Sequence, residues 1–470
     1  MNVQGTKPLR VAIDAQISAK ASGGTETALL SLLSGLGAQG GRDRFLLLTL
    51  KGYDHEIVPF KGSNMDAFVW PGTYRWYDPR KDHASSEMKP RWHRLQRALG
   101  PFGRLVPKLH RYYAHDTPLT PKALKIARSV GPLKRLVGPA YRLYRGIRDE
   151  KTRPMVSARA DSLLRSRGVQ LVHFPYPLHF ETSLPFVYEP WGLPHRHQPD
   201  CFAPGEVEWM DRLFSKGCRN AAMVVTATRW VKQDIVEKYG ISPEKIAVIP
   251  RMPRFDRDAH TMDTEEALAG LPESFALFPS ATWVTKNHVR LIRAIAKLRD
   301  THAVRLNLVC TGRNSTPEFA RIKTEIEKLG LSDQVRFLGV VSIERLNALF
   351  KHAKFLVHPS IFEGLGLPLL EAFHYGLPVV ASTASCIPEV VGSAALPFDP
   401  FDEDDIARAL FAVCNTPELL DDLRAKGKQR IEQELPNVDQ VAKMFQTVYR
   451  HVASAPLSAE QRVLLNEMLA

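Results

Sequence analysis

Cysteine is scarce: five in 470 residues (Cys201, Cys218, Cys310, Cys386 and Cys414), scattered and with no Cys-x-x-Cys pair. That disfavours a structural zinc site and a disulfide framework, and it fits a reducing cytoplasm. No stretch is long and apolar enough to read as a membrane-spanning helix. The opening residues MNVQGTKPLRVAI lack the apolar core and cleavage site of a secretory leader. Internal repeats and low-complexity tracts are missing, which excludes solenoids and collagen-like chains.

Acidic residues are scarce in one place only. Between Lys89 and Arg153, 17 Lys and Arg stand against three acids (Asp116, Asp149, Glu150), so this stretch carries +14 while the whole chain carries +13. Trp92, Leu95, Leu99, Phe102, Val106, Leu109 and Tyr113 recur there at helical spacing, and Gly100-Pro101 divides the run. Tyr141, Tyr144 and Ile147 repeat the pattern with Arg142, Arg145 and Arg148 between them. Basic, aromatic and amphipathic describes a helix in a membrane interface, so residues 89–153 are expected to meet an anionic membrane surface or a lipid-linked acceptor. The competing reading is a solvated helical insertion over the first sheet, or a dimer contact. Nucleic acid is not the expected partner, because no nucleic-acid motif accompanies the charge.

At this length one core does not suffice, and the strand and helix patterns alternate, so the chain reads as α/β with two domains. Residues 1–250 form the first, with the basic insertion near 85–155; residues 251–436 form the second; residues 437–470 hold a helix packing back across the cleft and a peripheral tail. Strands are expected at Leu9–Ile13, Phe45–Leu50, Val169–Phe174, Phe186–Pro190 and Met223–Thr226. Thr228 and Gly240 bound a helix over 229–239. After the first strand comes Ser22-Gly23-Gly24-Thr25-Glu26 and then a leucine-rich helix. Strand, glycine loop, helix is a geometry that holds a phosphate on free backbone amides.

The second domain contains the stretch that organises the chain, His358 to Ser382: HPSIFEGLGLPLLEAFHYGLPVVAS. An apolar strand ends, Glu363-Gly364-Leu365-Gly366 forms a loop, and a short helix starts at Pro368, where the missing proline N–H has no intrahelical partner. The helix N-terminus faces the carboxyl edge of a parallel sheet and attracts a phosphate. Glu371, eight positions after Glu363 and placed in the first helical turn, can accept bonds from a vicinal diol such as a ribose. Taken singly, these residues also read as a helix-end charge and plain turn formers.

EGLGLPLLEA followed by GLPVVAS resembles the Glu-x7-Glu signature of retaining family 4 glycosyltransferases, which have the GT-B fold of two Rossmann-like domains facing a cleft. The likeness extends to PSATWVTKNHVRLIRAIAKL (279–298), LVCTG (308–312), VRFLGVVSIERLNALF (335–350), IPEVVGSAALPFDP (387–400) and AAMVVTATRWVKQDIVEKYGISPEKIAVIP (221–250), dense over 221–450 and absent over roughly 50–155. The resemblance implies sugar transfer from a nucleotide-sugar donor with retention, with no cofactor and no metal. No Asp-x-Asp pair stands beside the nucleotide site.

By the same resemblance, Gly23 and Gly24 close over the donor phosphates, and Lys286 with Gly364, Leu365 and Gly366 holds them. Glu363 takes the sugar hydroxyls and Glu371 the ribose, while Gly339, Val340, Thr311 and Gly312 border the base. The family's His-Asp pair is missing; Trp191-Gly192 stands there. His195 is the candidate in its place, with His197 nearby, although both also read as ordinary loop histidines. An arginine common in the family five residues before the lysine is Ala281 here. The KNH form of the lysine loop resembles mannosyl- and rhamnosyltransferases of bacterial surface polysaccharides and favours GDP-mannose. A cytoplasmic enzyme, peripheral on the inner face of the plasma membrane, is expected. Two alternatives stay open: a nucleotide-sugar epimerase on the same fold, and a non-catalytic nucleotide-sugar-binding scaffold.

Overall fold

The computed structural model of the protein describes residues 8–17, 24–50, 57, 60–71, 157–203, 205–253 and 262–470. Gly23, the basic segment 89–153 and residues 254–261 of the interdomain linker lie outside the described residues. The chain divides into two compact units, residues 1–70 with 161–470, and residues 71–160. The first unit holds both sheets and every residue discussed below.

Seven strands form the first sheet: β1 Arg10–Ala15, β2 Arg44–Thr49, β3 Met65–Val69, β4 Leu171–Phe174, β5 Phe186–Tyr188, β6 Met223–Thr226 and β7 Ile246–Val248. Their order is β3-β2-β1-β4-β5-β6-β7, and every pairing is parallel. Six more form the second: β8 Ala276–Pro279, β9 Leu308–Thr311, β10 Val335–Phe337, β11 Phe355–His358, β12 Val379–Ser382 and β13 Ala395–Phe398. These run β10-β9-β8-β11-β12-β13, again all parallel. Helices cover both faces of such sheets, so central strands are continuous runs of Val, Leu, Ile and Phe rather than alternating ones. Phe355-Leu-Val357 and Val379-Val-Ala381 are accordingly buried throughout.

The helices that position the site are α1 Gly24–Ala38, α2 Glu206–Asn220, α3 Arg229–Tyr239, α4 His288–His302, α5 Leu367–His374, α6 Ile387–Val391, α7 Val438–Val452 and α8 Ala459–Leu469. The expected strands and the 229–239 helix are found, with ends shifted by a residue or two. Thr228 caps α3 by accepting from the Val231 N–H, and Gly240 ends it in the left-handed region at φ 63°.

The last part of the chain crosses back to the first sheet. Gly35 of α1 packs on Val438 and Ala442 of α7. Arg450 of α7 pairs with Asp43 at 2.9 Å, and Asp43 also accepts from the Leu9 N–H. Deeper in, Tyr449 of α7 and His173 of β4 are joined at 2.8 Å, and His173 Nε2 bonds Glu189 at 2.7 Å. Glu189 in turn accepts from Arg251, the residue at which the chain leaves the first domain. All four side chains are buried, so first sheet, domain exit and crossing helix share one polar network.

The tail was expected to be peripheral, and that expectation fails. Residues 459–469 form α8, opened by a capping box of Ser458 and Gln461, with Leu465 and Met468 buried. Lys232 of α3 donates to the Leu469 carbonyl and fixes the far end. No helix among the described residues is long and apolar enough to cross a membrane.

Candidate functional site

β11 delivers the site's loop to the carboxyl edge of the second sheet. Glu363 is nine-tenths buried there and surrounded by partners. Lys286 Nζ lies 2.5 Å and His358 Nε2 3.1 Å from its Oε1. Its backbone N–H donates to Ser385 Oγ at 2.9 Å, and Cys386 Sγ donates to its carbonyl. Burial by itself would raise the Glu363 pKa; the charge of Lys286 and the bond from His358 overcome it and hold the carboxyl well below the usual range.

Lys286 owes its place to Asn287. Asn287 sits in the left-handed region at φ 62°, and its amide donates to the carbonyls of Pro359 and Pro400. The Ile361 N–H donates to the Thr285 carbonyl, tying the lysine turn to the Glu363 loop a second time. The roles of Asn287, His358 and Ser385 leave no mark in the sequence, because their partners are set by the fold rather than by any local spacing.

Beyond Glu363 the loop meets the first domain. A Cβ on Gly364 would overlap the Trp191 carbonyl oxygen, so only glycine permits this approach. Gly366 caps α5 in the left-handed region at φ 81°, with Leu365 between the two glycines. The helix therefore starts one residue earlier than expected, at Leu367, and Pro368 is its second residue. Gly24, the first residue of α1, lies against Leu367, so the loop-to-helix junctions of the two domains face one another.

Glu371 is the fifth residue of α5, one position further in than expected and just past the first turn. It is half-buried, and its carboxylate has no partner among the described residues. Burial pushes its pKa up to about 7. Of the four residues expected around the base, Thr311, Gly312 and Gly339 come together, since the Gly312 N–H donates to the Gly339 carbonyl at 2.8 Å. Val340 follows and is 66% exposed. Gly312 also presses on the backbone of Ser280 and Ala281, beside the turn that ends in Lys286.

His195 is the exception, and the catalytic expectation for it is corrected. It is fully buried, 3.1 Å from the Tyr239 hydroxyl and 3.5 Å from Asp211, with its ring against Phe214. Enclosed by α2 and α3, and kept neutral by a burial-lowered pKa, it reaches nothing in the cleft. A cavity of about 690 Å³ behind the loop shares Leu365 and Leu370 with the site but none of Lys286, Glu363 or Glu371.

Comparison with known families matches residues 266–430 to "Glycosyl transferases group 1" and residues 110–252 to "Glycosyltransferase Family 4". The second match reaches into the basic segment, further than the sequence motifs did. Among curated relatives, O-antigen chain mannosyltransferase B of Escherichia coli is 27% identical over 218 residues, 44% of this chain and 56% of the relative. The MMP alpha-(1->4)-mannosyltransferase of Mycolicibacterium hassiacum is 30% identical over 229 residues, 48% of this chain and 52% of the relative. The chain thus spans a little over half the length of these two. Among solved structures, sucrose-phosphate synthase from Thermosynechococcus elongatus superposes with a TM-score of 0.63 at 18% identity, covering 95% of this chain and 99% of the other. The shared architecture is GT-B.

Proposed function

Because residues 266–430 match a group 1 glycosyltransferase domain and residues 110–252 a family 4 domain, we propose that the chain transfers a hexose from a nucleotide-sugar donor to a growing surface glycan or lipid-linked acceptor. One observation carries this reading: a half-buried Glu371 with no partner among the described residues, one turn into α5, with a charge-paired Glu363 at the other end of the glycine loop that heads the same helix. A plain packing helix has no use for a carboxylate left without a partner at the cost of burial.

The roles follow from charge. An arriving diphosphate competes with Glu363 for Lys286, and the amides of Gly364 to Gly366 with the α5 N-terminus share its charge. Glu363, released from the lysine, accepts bonds from the sugar hydroxyls. Glu371 accepts the two ribose hydroxyls, and the Gly312–Gly339 edge borders the base. Transfer with retention suits this set, because the departing phosphate can take the acceptor's proton and the protein mainly positions substrates and excludes water. Mannosyltransferase relatives favour GDP-mannose as donor. The +14 of residues 89–153 favours work at an anionic membrane surface on the cytoplasmic side.

The test is thermal denaturation with a panel of nucleotide sugars, on the native protein and on Glu371→Ala. A bound donor at a hundred times its Kd stabilises by about 2.7 kcal/mol. One donor class should shift the native protein, and the variant should lose most of that shift. Equal shifts in both would remove Glu371 from the site.

A further inference from the structure

The cross-domain contacts around the loop include a second histidine–carboxylate pair. His197 Nε2 lies 2.8 Å from Asp234 Oδ1. Asp234 is buried on α3, its side chain 4% exposed against 28% for His197. A carboxylate can only accept, so it fixes the proton of His197 on Nε2 and leaves a lone pair on Nδ1. Nδ1 has no protein partner among the described residues and, unlike His195 Nδ1, is not among the enclosed orphan atoms.

The ring's position gives that lone pair a use. His197 packs 5.4 Å from Phe362, the residue before Glu363, and 5.3 Å from Trp230, while Trp230 and Phe362 meet edge-on at 5.8 Å. Gly192 lies under the Phe362 ring, so Trp191-Gly192, which hold no acid or imidazole, are part of the same cluster. An oriented hydrogen-bond acceptor amid aromatic faces, beside the loop that holds the donor sugar, has the composition of a carbohydrate subsite.

We propose that His197, held in one tautomer by Asp234, is a positioning residue that accepts a hydrogen bond from a hydroxyl of the acceptor sugar, with the half-buried Trp230 as the apolar wall beside it and the buried Phe362 backing the ring. This rests on the donor-site reading above. The pair orients the acceptor and does not bind the nucleotide.

Methyl α-D-mannoside serves as acceptor probe, with GDP-mannose as donor and GDP as the binding control. In His197→Gln the amide takes the place of Nε2, keeping the bond to Asp234 while Nδ1 is lost. In His197→Asn the amide stands where Nδ1 was. Asp234→Asn is isosteric but offers an N–H to Nε2, which moves the imidazole proton to Nδ1 and turns the acceptor into a donor. The expected result is a ~10- to 100-fold loss of acceptor-dependent turnover in His197→Gln and Asp234→Asn alike, with partial recovery in His197→Asn. GDP affinity should stay unchanged in all three. Imidazole nitrogen NMR adds a readout that does not need turnover: Nε2 protonated, Nδ1 bare, and the Nδ1 signal moving when the probe is added to GDP-saturated protein. An Nδ1-protonated ring, an Nδ1 signal indifferent to the probe, or unchanged acceptor-dependent turnover in His197→Gln overturns the proposal. Failure of the native protein to bind any nucleotide would instead overturn the donor-site reading.

Discussion

Lys286 and Glu363 form an ion pair at 2.5 Å in which the lysine is 22% and the glutamate 10% exposed, one from the turn after β8 and the other from the loop after β11. The pair is therefore a stability element as well as the expected grip on the donor. Lys286→Ala leaves the buried Glu363 carboxylate with His358 as its remaining partner among the described residues, a change of the kind that costs about 3–5 kcal/mol for a fully buried pair and less here because the lysine is partly wet. Glu363 is held low in the folded state, so its contribution is present above the unfolded carboxylate value and lost on acidification. Urea denaturation should show the Lys286→Ala deficit in full at pH 8 and a smaller one below pH 5, where the unpaired Glu363 can take a proton. Donor turnover should fall by roughly a hundredfold.

Glu371 carries the opposite sign. Its carboxyl is raised from 4.5 to about 7 with no compensating partner, so the free protein is penalised for ionising it. The penalty is absent below the unfolded value of 4.5, grows as pH rises from there to about 7, and stays at its full size above that. Glu371→Gln should stabilise the free protein at pH 8 by on the order of 1–2 kcal/mol, discounted for partial exposure, and change little at pH 4. The same substitution should abolish most of the donor-induced stabilisation. The proposed ribose role requires the charged form, so donor affinity should weaken about tenfold per pH unit below 7. Calorimetric titration between pH 6 and 8 checks this, and a flat profile would exclude the carboxylate from binding.

How much of this was legible in sequence depended on locality. Both sheets were readable because parallel strands buried on two faces leave uninterrupted Val, Leu and Ile runs, as in Phe355-Leu-Val357. The Glu363 loop was readable because glycine and proline mark its turn within eight residues. Asn287 was not, since one of its two anchors is Pro400, 113 residues away. His195 misled because a histidine beside the cleft sequence turned its ring into the α2–α3 contact. The last helix was missed although Ser458 and Gln461 spell a capping box, because its two buried residues made too faint an apolar stripe.

The approach of Gly364 to Trp191 yields a steric prediction. The obstacle to a Cβ is a backbone carbonyl on the opposite domain, which cannot rotate away. Trp191 itself is in the left-handed region at φ 62°, a conformation that bulky residues rarely adopt. Gly364→Ala should therefore hold the domains apart rather than unfold either one. Small-angle scattering should report a larger radius of gyration, and turnover should fall at least ~10-fold through lost positioning. Native scattering and native turnover together would mean the contact is not needed for closure.

Glu389 makes a second contact across the domains, and its strength can be measured without substrate. Its two carboxylate oxygens accept from the backbone N–H groups of Arg229 and Trp230, each at 2.8 Å, at the start of α3. A carboxylate on two free amides at a helix N-terminus combines a cap with a favourable dipole interaction. Arg430 holds the other end, donating to the Glu389 and Val390 carbonyls. Glu389→Ala should cost about 1–2 kcal/mol by thermal denaturation, whereas Glu389→Gln, which can accept on one oxygen only, should cost about half as much. The same contact joins the first and second domains beside Trp230, so the alanine variant should also speed amide hydrogen exchange at Arg229 and Trp230. Exchange left unchanged there would show that the Glu389 carboxylate does not hold these two amides in solution.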